Sequence, residues 1–142
     1  MTIQRKYTLA EIYTAHGQVV LIALSLDGTV TLDDVISEYG PPTSVGGFYG
    51  QGEAYWRNVT ILHDDGIAIF LQDLGWPLVD YWRLKPSDIV EEILFFVPDT
   101  LPQFAGDIPG FLPITLGESY DVVAAGLVPW NGYEAVTLRS IH

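Results

Sequence analysis

Residues 18–26, Gln-Val-Val-Leu-Ile-Ala-Leu-Ser-Leu, carry apolar side chains on both parities of an extended strand. Val20, Ile22, Leu24 and Leu26 stand against Val19, Leu21 and Ala23. A strand apolar on both sides is predicted to be central and covered on both faces. The preceding residues 6–14 put Tyr7, Leu9 and Tyr13 on one face and Ile12 on the other, and Ala15-His16-Gly17 links the two runs. Two β-rich runs around a short Gly-containing link predict a hairpin.

The period then changes. In residues 27–42, Leu32, Val35, Ile36 and Tyr39 recur at i, i+3, i+4 and i+7, the stripe of an amphipathic helix. Thr31 is a suitable N-cap, Asp34 completes a capping-box-like pair, and Asp33 adds negative charge to the first turn. Gly40 and Pro41-Pro42 end the helix.

Residues 43–52, with glycines at 46, 47, 50 and 52, read as a Gly-rich loop. It carries no base and opens no helix, so it does not read as a phosphate cradle. Glu53–Leu62 and Ile67–Asp73 alternate as a second hairpin around His63-Asp64-Asp65-Gly66. Residues 74–88 read as irregular and aromatic, Ile89–Val97 as an apolar strand, and 98–113, with four prolines, as an extended connection. Glu118–Ala125 reads as a second short helix and Glu134–Ser140 as a last strand. Asp34-Val35-Ile36 is weakly echoed by Asp121-Val122-Val123, an internal likeness between 27–97 and 114–140. The expected fold is α+β: an antiparallel sheet of five or more strands with two short helices packed on one face, as one domain over 1–142. Two short helices cannot cover a sheet that is apolar on both sides. The second face therefore calls for long loops, another copy or a further part of a longer chain, and the hairpin that begins at once suggests such a part before it.

Composition narrows the functions. Eighteen acids against six bases leave a net charge of −12, which repels phosphate backbones and argues against nucleic-acid partners. There are no cysteines, so disulfides, thiol nucleophiles and thiolate metal sites are excluded. No apolar run is long enough to span a bilayer, and residues 1–15 lack the pattern of a signal peptide. The expected compartment is extracytoplasmic if an upstream signal was removed, and cytoplasmic otherwise.

Candidate chemistry is sparse. The three histidines are at 16, 63 and 142, and no serine lies in a Gly-x-Ser-x-Gly elbow. His63-Asp64-Asp65 reads as a solvated turn rather than a metal site. Glu91 and Glu92 are strand neighbours whose carboxylates diverge, so they cannot act as an acid–base pair, and one of them must face inward or an interface. Asn58-Val59-Thr60 matches a glycosylation acceptor but lies within a strand. No catalytic residue, cofactor or metal is expected. Aromatics remain: Phe48, Tyr49, Trp56, Trp76, Tyr81 and Trp82, with Trp130, read either as lids over the core or as a protein-binding surface, the latter because Tyr and Trp dominate interface energetics.

The block from Gly28 to Val97 resembles the repeat of the β-lactamase inhibitor protein and of small outer-membrane-assembly lipoproteins. The likeness rests on Gly28, Thr29, Thr31, Val35, Gly40, Pro41 and Pro42, the strands over 53–73, and the strand from Ile89. It departs at Thr43–Gly52, where that family often has a second helix. The resemblance implies a concave antiparallel sheet with helices on one side, and non-enzymatic protein binding in the bacterial cell envelope. The expected function is therefore a protein-binding or scaffold domain, with a protein partner or a homo-oligomer. The alternatives are an acidic immunity or inhibitor protein against a basic toxin or enzyme, and a small-ligand-binding domain.

Overall fold

Alternating strands and one capped helix make up the residues that the computed structural model describes: 7–51, 55–71, 81–98 and 126–140. In chain order these are β1 (Tyr7–Ala15), β2 (Gln18–Leu26), α1 (Leu32–Tyr39), β3 (Ser44–Gln51), β4 (Tyr55–His63) and β5 (Ile67–Leu71). Then come β6 (Tyr81–Arg83), β7 (Val90–Phe96), β8 (Val128–Pro129) and β9 (Ala135–Ser140). All nine strands join one sheet in the order β1-β2-β7-β5-β4-β3-β9-β6, with β8 also paired to β3.

The hairpin β1–β2 forms as expected. Its turn holds His16 and Gly17 at positive φ, as a two-residue turn matched to strand twist requires. The helix also forms as expected, and the first four backbone N–H groups of α1 are all satisfied. Leu32 and Asp33 donate to the carbonyls of Asp88 and Pro86 at 2.8 and 3.0 Å. Asp34 donates to Thr31 Oγ1 at 3.2 Å, Val35 donates to the Thr31 carbonyl at 3.3 Å, and Thr31 N–H donates back to Asp34 Oδ2 at 3.0 Å. These are the orphan donors of any helix start, and here the 86–88 loop and a capping box meet them. Thr31→Ala is expected to lower stability by about 1 kcal/mol, and Thr31→Ser to be near neutral, as read from urea unfolding.

Leu32 and Val35 point into the main core with Val59, Ile61, Ile69, Val90 and Ile93, while Ile36 and Tyr39 pack at its margin. The opposite face of the sheet is buried too. Leu21, Ala23, Thr60, Leu62, Ala68, Phe70 and Leu94 all lie away from solvent. Of the three coverings that counting layers called for, another copy is not needed at these positions, which are buried within the single chain.

Three expectations are corrected, and a fourth falls outside the described residues. Within the region 43–52, Ser44–Gln51 form strand β3 rather than loop. Its glycines reflect close packing, since a Cβ at Gly46 would stand 3.0 Å from the Gly126 carbonyl oxygen and one at Gly47 would collide with Leu138 Cδ2. Within the region read as irregular, residues 81–83 form β6, paired antiparallel to β9. The sheet is mixed rather than wholly antiparallel. β8 runs antiparallel along β3 at Ser44–Val45, the chain reverses through Gly132, and β9 therefore returns parallel to β3 at Gly47–Tyr49. Finally, α1 is the one helix among the described residues; the second expected helix, Glu118–Ala125, lies outside them. No helix among the described residues is long and apolar enough to cross a membrane.

Candidate functional site

β1 ends the sheet. Among the described residues it pairs with β2 alone, through eight of its nine residues. Two register shifts, between Tyr7 and Leu9 and between Tyr13 and Thr14, leave a regular ladder over Leu9–Tyr13 opposite Ser25–Leu21. Bulges of this kind bend an edge away from casual pairing, so the open backbone suited to another strand is confined to these five residues. Apolar side chains flank it: Leu9 is 53% exposed, Ile12 62% and, across the hairpin, Val19 50%.

Register divides the ladder into two faces. Ala10 and Ile12 share the face of Leu24 and Ile22, whereas Leu9, Glu11 and Tyr13 share that of Ser25, Ala23 and Leu21. Glu92 of β7 lies on the second face, opposite Ser25 on one side and Phe70 on the other. The small side chains of Ala23 and Ser25 thus separate Glu11 from Glu92. The Tyr13 hydroxyl donates to Glu11 Oε2 at 2.6 Å. Burial, then that hydrogen bond, then the charges of Glu11 and Glu92 push the Tyr13 phenol up to about 12. Burial, reinforced by the charges of Glu11 and Glu91, pushes the Glu92 carboxyl up to about 7. Among the described residues every influence on Glu92 has one sign, and none of them places a cation beside it. Of the Glu91–Glu92 pair, Glu92 is the half-buried member and Glu91 the exposed one.

Among the described side chains, Tyr49, Tyr81 and Trp82 do not share one exposed surface. Tyr49 is half-buried in β3 against the core, and Tyr81 is exposed on β6. Trp82 is 7% exposed and belongs to the core, which corrects its expected place in an open aromatic loop. Its Nε1–H donates to Asp88 Oδ2 at 3.2 Å, so the indole is buried without stranding its polar end. Phe48 and Trp56 fall in β3 and β4 with side chains outside the description, and Trp76 lies outside the described residues. Trp130 stacks edge-on with Tyr133 at 5.9 Å, and the Tyr133 hydroxyl donates to Asp33 Oδ1 at 3.0 Å.

His63 is also misplaced by its sequence context. It ends β4 and is 4% exposed, not solvated in a turn. Its Nε2 lies 2.9 Å from the Gly40 carbonyl, to which an Nε2–H donates, and its buried Nδ1 has no hydrogen-bond partner. No group of three or more His, Asp or Glu among the described residues could hold a metal ion.

A cavity of about 540 Å³ opens where β3, β8 and β9 meet, lined by Val45, Leu84, Val128 and Val136 with Asn131 and Glu134. Among the described residues its lining includes one carboxylate and no histidine, so these residues bring together no acid–base pair. No known protein family, curated protein or solved structure matches the chain.

The edge at Leu9–Tyr13 was not singled out by reading the sequence. Alternation places residues on faces but says nothing about strand order. The exposure of Leu9 and Ile12 follows from β1 being outermost, which only the pairing of β2 with β7 establishes.

Proposed function

We propose that this chain is a non-enzymatic protein-binding domain that receives an extended segment of its partner along β1. The observation that carries the reading is the open ladder Leu9–Tyr13 flanked by exposed Leu9 and Ile12. Natural sheets blunt their edges with bulges, charge, proline or short strands; here the register shifts leave a five-residue ladder with exposed apolar residues, a length suited to addition of a short strand. Main-chain hydrogen bonds then supply affinity, and alternate side chains supply specificity. The resemblance of Gly28–Val97 to envelope-associated binding repeats supports the same reading and extends it to the bacterial cell envelope.

Selection of displayed peptides on the immobilised protein tests it. Selected peptides are expected to slow hydrogen exchange at the amides of Leu9–Tyr13. They are also expected to lose about 100-fold in affinity on Ile12→Asp, the range of a hot-spot change. Binders that protect other amides and ignore Ile12→Asp, with circular dichroism unchanged, would reject the edge. A second reading, a small-ligand domain, rests on the cavity at Val45 and Val136. In the same experiment it predicts protection there and none at β1.

A further inference from the structure

We infer that the segment received by β1 is basic: an extended strand with Lys or Arg level with Glu11 and apolar residues level with Ala10 and Ile12. This rests on the reading that β1 is the binding edge, and adds the chemistry of the occupant.

A strand laid beside β1 brings its alternate side chains level with those of β1 on each face. On the face of Ala10 and Ile12 it meets an apolar surface, with Ile12 among the most exposed large hydrophobic residues of the described chain. On the other face it meets Leu9, Glu11 and Tyr13. The groups behind them are Ala23 and Ser25 from β2 and Glu92 from β7, while Phe70 of β5 adds no charge. Glu11 is exposed at the centre of the ladder, and its side-chain partner is the neutral Tyr13 hydroxyl. Glu92 stands two strands further in, roughly 10 Å away by strand spacing, close enough to add to the negative field at moderate salt. The face therefore presents carboxylate charge of one sign at the position that a partner side chain must cover. A neutral residue there would desolvate Glu11 without compensation, an acidic one would be repelled, and a basic one would pair with it.

A second copy of this chain is the competing occupant, and charge works against it. Antiparallel self-pairing centred on the regular ladder sets Glu11 against Glu11, between two chains each carrying −12. The same net charge steers a cationic segment toward the protein.

The test uses three synthetic peptides on the intact chain: alternating valine and lysine, the same peptide with threonine for lysine, and a scrambled valine–lysine sequence of equal charge. Calorimetry measures affinity at low and high salt, and hydrogen exchange locates the contact. The alternating lysine peptide is expected to bind about fivefold or more tighter than either control at low salt, a preference that salt erases. It is expected to protect Leu9–Tyr13, and Glu11→Gln is expected to remove its advantage over the threonine peptide. If the threonine peptide binds equally well and protects β1, the basic chemistry is wrong and the edge reading stands. If the scrambled peptide binds equally well and β1 stays unprotected, attraction is merely to an acidic surface and both ideas fall. If no peptide binds and the protein dimerises with β1 protected, the occupant is a second copy and the inference is overturned.

Discussion

Gly66→Ala is expected to lower the unfolding free energy by about 3 kcal/mol, which would move the melting temperature by roughly 10 °C in a domain of this size. Gly66 sits at φ 119°, outside the range of ordinary L-residues, where strain alone costs on the order of 1–3 kcal/mol. A Cβ there would also run into the carbonyl oxygen of Phe96, which is backbone and cannot swing aside. The two residues are locked together, because Phe96 N–H donates to the Gly66 carbonyl at 2.9 Å and Gly66 N–H closes the turn onto His63 at 3.1 Å. Relief of the clash would have to separate the β4–β5 turn from the end of β7. Gly17→Ala is the control. It shares the positive φ, at 79°, but a Cβ there meets nothing within 4 Å, so a loss of only about 1 kcal/mol is expected. Equal losses for the two variants in urea unfolding would show that the Phe96 contact adds nothing.

Glu92→Gln is expected to stabilise the protein at pH 8 by on the order of 1–2 kcal/mol, after discounting for solvent screening, and to change nothing near pH 3. The folded carboxyl is pushed up to about 7 from an ordinary value of 4.5, chiefly by burial and then by Glu11 and Glu91. Between those values the folded chain holds a proton that the unfolded chain has released, so stability falls as pH rises through that window. Below it both states are protonated and the group has no influence. Glutamine keeps the shape and removes the titration. Other groups titrate in both proteins, so the difference in urea midpoint across pH 3–8.5 isolates Glu92. A difference that stayed constant with pH would refute the assignment. The same carboxylate lends its field to the Glu11 face, so the position that favours a basic partner also makes the free protein less stable at alkaline pH.

How much of this was legible beforehand depends on the range of the interactions concerned. α1 could be read outright. Its stripe, Thr31 cap and Gly40 stop lie within about ten residues of one another, and the capping box forms as its spacing implies. The hairpins β1–β2 and β4–β5 were legible for the same reason, through His16-Gly17 and Asp65-Gly66. β3 was not, because Gly46 and Gly47 lower strand propensity locally and make sense only beside Gly126 and Leu138, about 80 to 90 residues on. Trp82 misled for a related reason. An aromatic run between prolines reads as loop until Asp88 supplies the acceptor that lets the indole sink into the core. Glu91 and Glu92 were correctly seen to diverge, but which one faced inward depended on the register of β7 against β2 and β5.

The amino-acid sequence by itself determined α1, the hairpins β1–β2 and β4–β5, the acidic charge, the absence of thiol chemistry and the alternation of faces along those strands, because these follow from composition, periodicity and turn residues. Tertiary structure alone decided strand order, the parallel return of β9, the burial of Trp82 and His63, and the outermost position of β1. Those features depend on which distant segments hydrogen-bond to one another, and β-periodicity is the same for a central strand as for an edge.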